Sequence, residues 1–433
     1  MKQTICILLS AIAISLGCSA KKQTSTFPDG TPISSWFADT TGVELKDMGK
    51  PYIITDYGVV NDSTIIQTQK IQEVIDRCHA NGGGVIVVPA GTYLTGSLFF
   101  KPGCNLYLEE NATLKGSDAI THYQIVKTRL EGQTLDYFAA LINADHHDGF
   151  TIAGKGTLNG NGHKFYDEFW LRRKVIKKCT NLEALRPRLV YISNSNDVKV
   201  SGIRMVNSGF WTNHLYKCKR VKYLNLYIYA PTSGYPKGPS TDAIDIDGCE
   251  DMLIRGCWVN VNDDGVCLKG GKGTFVDKDS TNAPCRNVIV ENCDYAGYCK
   301  RGIFIKTNPD RGGFVENVFV KNCSFGDVED LFYVTSRYAG EGLTNHHFST
   351  VKNIFVDGLK CNNVSAAALV LQGTEAKPVT NVSFDNIEGK NAKTGISFEN
   401  VMEVNMGECS IGGKVGTPTQ VTPKDKVFER NNK

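Results

Sequence analysis

The sequence predicts an all-β chain wound as a single-stranded parallel β-helix, with one helix capping its N-terminal end. Three observations predict it. From about residue 150 onward one unit recurs: a polar residue, alternating apolar residues, then Asn or Gly, often with Cys. Its copies include NDVKVSGIRMVN, EDMLIRGCWVN, RNVIVENCDY, ENVFVKNCSF, KNIFVDGLKC and TNVSFDNIEG. Equivalent positions are Val198, Val221, Leu253, Val288, Val318, Ile354, Val382 and Val404, at steps of 22 to 36 residues. Period-two alternation is the strand signal, and a repeat of this length without helical stretches means stacked coils. The length, 433 residues, is long for one compact core and ordinary for a solenoid. Uneven steps put turns of different length on a constant strand core, and those turns would wall a cleft.

The elements follow in order. Lys2 precedes an apolar run, Ile5 to Leu16, too short to cross a membrane and suited to a signal sequence. Leu16-Gly17-Cys18 reads as a lipoprotein site with Cys18 as the lipidated first residue; cleavage after Cys18-Ser19-Ala20 is the alternative. Residues 1–20 are thus expected to be a signal peptide. The mature protein is expected to be exported, periplasmic or anchored at a bacterial outer membrane, touching membrane only through its lipid. Residues 21–45 read as a polar tether and lead-in, 46–415 as one β-helix domain, and 416–433 as a polar tail. Ser63 or Thr64 caps a helix running to about Cys78, with Ile71, Val74, Ile75 and Cys78 on one apolar stripe. This lone helix is expected to cover the solenoid's end.

Composition narrows the partners. Hydrophobic content of 41%, charge of 21% and a net charge of +3 describe a folded, soluble body with no excess of charge for nucleic acid. Fifteen cysteines lack metal-ligand spacing. Cys257, Cys293 and Cys323 fall at matching points of successive repeats and should stack as small apolar residues. A disulfide or two remains compatible with the sequence. The chain is expected to be a monomer.

The stretch from Ser240 to Gly271 holds the chemistry: STDAIDID, then NDDGVCLKGG. Asp242 and Asp263 are 21 residues apart, about one coil, which would stack their carboxylates on adjacent strands. Asp263 and Asp264 would point to opposite faces of a flat strand, so the chain must bend for both to face one cleft, and Gly265 eases a bend. Three carboxylates around one point suit acid/base hydrolysis of a glycosidic bond. Crowding keeps a proton on one, and the others activate water. Asx residues also line solenoid turns for purely structural reasons. Asp245 and Asp247 fit that plainer reading and are expected to face water.

GGGVIVVPAGTYLTGSL, STDAIDID, NDDGVCLKGG and RGIFIKTNPDRGG together resemble glycoside hydrolase family 28, the polygalacturonases and related pectin hydrolases. The resemblance runs from about Tyr52 to Gly412. It implies a right-handed parallel β-helix that hydrolyses with inversion, without cofactor or metal. It implies Asp263 as acid and Asp242 and Asp264 as the pair that activates water. Lys306 matches a lysine that binds a substrate carboxylate. SGFWTNH resembles a substrate-side segment and would bring His214 near the cleft; a histidine merely satisfied on its strand is the other reading. Three features depart from the family, the first being Ser240 in place of an asparagine two residues before Asp242. Phe304 stands where an arginine is usual, and no glycine-histidine-glycine motif precedes Lys306. Lys300 or Arg301 would replace that histidine in binding substrate, or the coil is missing. Lys237, Lys269, Lys272 and Arg311 add cations beside these motifs; of the seven, counting Lys300, Arg301 and Lys306, two or three should hold substrate carboxylates, Lys306 first.

The implied function is hydrolysis of galacturonic acid linkages in pectin or oligogalacturonides. The alternatives are a rhamnogalacturonan hydrolase of the same family, a calcium-dependent pectate lyase with Lys300 or Lys306 as base, and a glycan-binding protein without turnover. The insert from Arg172 to Arg188 is a candidate to close one end of the groove and favour attack from chain ends.

Overall fold

The computed structural model describes residues 25–270, 284–307, 309, 312–338, 348–412 and 427–429. The chain winds as a right-handed parallel β-helix in one 28-stranded sheet. Cys18, the signal peptide, most of the tail, Lys272 and Arg311 lie outside the described residues. Among the described residues no helix is long and apolar enough to cross a membrane.

Each coil contributes strands to three ladders. One inward row runs Tyr52, Ile86, Leu106, Ile152, Val200, Tyr223, Ile254, Val290, Val320, Val356, Phe384. Burial of these side chains on both neighbours is what stacks the coils. A second ladder runs through Tyr93, Leu114, Leu158, Met205, Ile228 and Val259. The third carries the site. Its inward row is Leu98, Ile142, Val190, Asn213, Ile244, Val266, Ile303, Phe332 and Leu369.

The polar residue of each repeat has a structural role. Asn287, Asn317, Asn353 and Asn381 adopt left-handed backbone at one corner. Their amides form a ladder, Asn317 to Asn287 at 3.1 Å, Asn353 to Asn317 at 3.3 Å and Asn381 to Asn353 at 2.8 Å. Asparagine tolerates that conformation and its amide both donates and accepts, so identical turns bond to one another. All thirteen described cysteines are free thiols, twelve of them buried.

Three expectations need correction. The helix α1 spans Thr68–Ala80 with Gln67 at its N-cap, so it starts after Ser63 and Thr64. Its predicted stripe is buried. A second helix, α2 (His163–Val175), lies where only strands and turns were expected. Leu253 is not the equivalent of Val221: Val221 pairs with Met252, which pairs with Val288. Leu253 points outward against Phe27 and Phe37. That outer face is covered by the segment after residue 25, so both faces of this strand are apolar and alternation alone cannot set its phase. Phe27 stacks on Phe319 at 5.6 Å, so the end of the expected tether packs on the solenoid.

Candidate active site

Strand pairing brings the three aspartates together, in a register one residue from that expected. Ile244 pairs with Val266, an offset of 22, which puts Asp242 beside Asp264 rather than Asp263. The Ala243 N–H donates to the Asp264 carbonyl at 2.9 Å. Asp263 sits one residue earlier, where the chain bends. Oxygens of Asp242, Asp263 and Asp264 all lie within 4.8 Å of one another. Gly265 serves through its missing side chain: a Cβ there would meet the Gly302 carbonyl at 2.6 Å and the Tyr295 ring at 2.7 Å.

The next coil is present and supplies cations at the matching places. Val266 pairs with Ile303, the Lys300 N–H donates to the Asp263 carbonyl at 2.9 Å, and the Gly265 N–H to the Arg301 carbonyl at 2.8 Å. Lys300 thus stacks on Asp263 and Arg301 on Asp264. The Arg301 guanidinium reaches Asp264 at 3.4 Å and Asp330 at 3.4 Å, and lies 4.5 Å over the Phe304 ring. Phe304 is therefore the shelf on which this arginine rests. Lys306 Nζ is 3.6 Å from the second Asp264 oxygen. Burial, then neighbouring Asp264, pushes the Asp263 carboxyl up to about 7 against the pull of Lys300, Lys306 and Arg301. Burial and the nearby Asp245, Asp263 and Asp264 raise Asp242 well above the usual carboxylate range. Asp242 and Asp264 are 3% and 2% exposed, whereas Asp263 is half-buried, so it is the carboxyl most open to the cleft.

The cleft holds about 390 Å³. Lys237, Lys300, Arg301 and Lys306 line it with the three aspartates, and Trp170, Trp211, Tyr298 and Tyr338 supply aromatic surface. Lys269 does not reach it. Together with Asp245 it corrects a sequence expectation: Asp245 does not face water. Asp245 is 0% exposed and its oxygen lies 2.5 Å from Lys269 Nζ. Asp247 is buried too, bonded by Arg129 at 3.0 Å. The outward face of these strands is roofed over, and buried charges then need partners.

His214 is a second correction. Its ring is buried and does not line the cleft. It pairs in register with Asp245, packs edge-on to Trp211 at 4.9 Å, and its Nδ1 accepts from Arg188 at 2.7 Å. Burial lowers it to about 3, so it is the neutral imidazole, protonated on Nε2. It supports the floor beneath Trp211.

Two walls escaped the sequence reading. Strands Ile125–Leu130 and Gln133–Phe138 form an antiparallel hairpin turning at Glu131-Gly132. It is pinned by Arg129 on Asp247, by Arg188 donating to the Arg129 carbonyl at 2.8 Å and Thr128 Oγ1 at 2.6 Å, and by Leu130 and Tyr137 packing on Phe210 and Trp211. Its tip puts Glu131 into the cleft, where Asn181 donates to it at 2.9 Å. A two-residue turn containing glycine between alternating segments was the available signal. The other wall is α2, which contributes Phe169, Trp170 and Arg173. The buried Arg186 lies between the Phe169 and Phe210 rings, each 4.4 Å away, and donates to the Pro239 carbonyl at 2.5 Å.

The family model described as Glycosyl hydrolases family 28 matches residues 78–410. A probable polygalacturonase of Vitis vinifera is 25% identical over 77% of this chain and 73% of its own length. Exopolygalacturonase B of Aspergillus niger is 25% identical over 72% of this chain and 69% of its own. The solved exopolygalacturonase of Thermotoga maritima superposes with a TM-score of 0.64 at 20% identity, covering 88% of this chain and 91% of that one.

Proposed function

This chain belongs to glycosyl hydrolase family 28, and from that premise we propose that it hydrolyses galacturonic acid linkages of pectin from the chain end. The observation that carries the reading is the aspartate trio set against Lys300, Arg301 and Lys306, a site built for an anionic sugar. Asp263, open to the cleft and holding its proton near neutrality, donates to the glycosidic oxygen. Asp242 and Asp264, side by side, take the proton of a water attacking the anomeric carbon from the opposite side. Arg301 and Lys306 balance the charge of Asp264 and present donors to the sugar carboxylate. Glu131 and Asn181, bonded to each other, line the groove beside the hairpin tip. Beyond the hairpin lies a separate pocket of about 470 Å³, walled by Thr128 and Arg129. The hairpin supplies residues to both, Glu131 to the cleft and Thr128 and Arg129 to this pocket, and standing between them it favours release of single residues.

The nearest oxygens of the trio, within 4.8 Å, are closer than the general separation of about 6.5–9.5 Å for inverting pairs. Inversion here rests on Asp242 and Asp264 sharing one water. The experiment is digestion of polygalacturonan followed by reducing ends, viscosity, ultraviolet absorbance and proton NMR. Saturated monomer released as the β-anomer, with viscosity falling slowly, is expected. The α-anomer overturns inversion, rapid viscosity loss overturns end attack, and a chelator-sensitive unsaturated product means a calcium lyase. Activity confined to rhamnogalacturonan names the related hydrolase, and binding without any product names a glycan-binding protein.

Export with a lipid on Cys18 is part of the proposal, supported by the apolar run before Leu16-Gly17-Cys18. Labelled palmitate should enter the wild type and not Cys18→Ala; label in both removes the anchor.

A further inference from the structure

The mouth of the cleft continues into a groove of about 370 Å³ lined by Trp170, Arg173, Lys174, Gly234, Tyr235 and Lys237. Trp170, Arg173 and Lys237 line the catalytic cleft as well, so the two share a floor. The Trp170 Nε1 donates to the Lys237 carbonyl at 2.8 Å, and Lys174 Nζ lies 5.3 Å from the Tyr235 ring centre. The segment that gives the groove Arg173 and Lys174 reads Leu171-Arg172-Arg173-Lys174-Val175-Ile176-Lys177-Lys178, five cations in eight residues. Arg172, Arg173 and Lys174 occupy the last turn of α2, where cations suit the helix dipole. That accounts for three of the five. Lys177 and Lys178 follow the helix and are exposed, and Tyr235, the ring beneath Lys174, is 62% exposed.

We propose that this groove is an outer binding site for the acidic polysaccharide chain beyond the bond being cleaved. The inference rests on the hydrolase reading above for the direction of the chain, and on charge complementarity for its occupant. Trp170 and Tyr235 offer flat apolar faces to sugar rings, and Lys174, Lys177 and Lys178 meet successive carboxylates. A cationic approach also concentrates a polyanion at the mouth in a salt-dependent way.

The test compares wild type, Tyr235→Ala and a triple variant, Lys174→Glu with Lys177→Glu and Lys178→Glu. Each is assayed on digalacturonate and hexagalacturonate, and hexagalacturonate binding is measured by calorimetry on the same variants carrying Asp263→Asn. Expected is a fall of about tenfold in kcat/KM for the hexamer through KM, with the dimer changed less than twofold, and about tenfold weaker hexamer binding by the triple variant. Equal losses for both lengths, or none for either, overturn the proposal. If the wild type cleaves neither sugar, the hydrolase reading falls and the groove is judged by binding alone: undiminished hexamer affinity in the triple variant overturns it. Vesicles of phosphatidylglycerol are the remaining arm. Vesicle binding that the triple variant loses while keeping hexamer affinity assigns the patch to a membrane surface and overturns the proposal.

Discussion

Asp263 concentrates the chemistry at the scale of one residue. Replacing it with Asn removes the transferable proton while keeping shape, so kcat should fall by roughly 10²–10⁴ with folding preserved; a variant turning over like wild type removes the assignment. With its proton leaving at about 7, kcat/KM should decline above that pH. The same carboxyl sets a stability trend. An unfolded aspartate titrates near 4, about 3 units below the folded group. Between those values the folded state binds more protons, so stability falls as pH rises from about 4 to about 7. Denaturant melts across this range should show the decline in wild type and a flatter profile in Asp263→Asn. Stability rising with pH in the difference between the two would contradict the raised carboxyl.

Asp245 and Lys269 form the other decisive pair at this scale. Both are buried and in contact at 2.5 Å. Lys269→Met leaves a buried carboxylate alone and should cost about 3–5 kcal/mol. Adding Asp245→Asn should recover much of that loss, because the uncompensated charge is gone. Additive losses in the double variant, read from denaturant melts, would mean that the two are not coupled.

At the scale of elements, the hairpin Ile125–Phe138 decides what the cleft accepts. It stands between the catalytic cleft and the second pocket on the same sheet face. Replacing Val126–Tyr137 by a short glycine-serine link should join the two and shift products from monomer toward short oligomers. Chromatography of the digest checks this, and an unchanged monomer-only profile would place the blockage elsewhere. The hairpin's turn at Glu131-Gly132 was legible locally, but its docking over the site was not, because its anchors are distant in sequence: Asp247 lies 118 residues from Arg129. Helix α2 went unread for a local reason. Its buried positions are Phe165, Tyr166 and Phe169, aromatic residues that suit strands as well. The insert expected at Arg172 to Arg188 overlaps only the last turn of this helix, so neither the helix nor its place as a wall of the cleft was anticipated.

At the scale of the molecule, stacking explains both what was legible and what was not. Val198, Val221, Val288, Val318, Ile354, Val382 and Val404 share one place in the repeat, and the ladder pairs them so, with Met252 replacing Leu253. A solenoid coil buries its apolar side chains only against the coils beside it, so each repeat must carry the whole instruction in its own sequence. The sequence by itself thus determined the β-helix, the helix that caps it and the meeting of Asp242, Asp263 and Asp264, because all three follow from local period and coil length. Tertiary structure alone decided that Asp242 stands beside Asp264, that Lys300 and Arg301 stack on the aspartate pair, that His214 lies beneath the floor, and that Asp245 is buried. Those outcomes depend on the exact offset between coils and on what roofs the outer face. Both are set by turns and insertions whose partners lie many coils away, where no local pattern reaches.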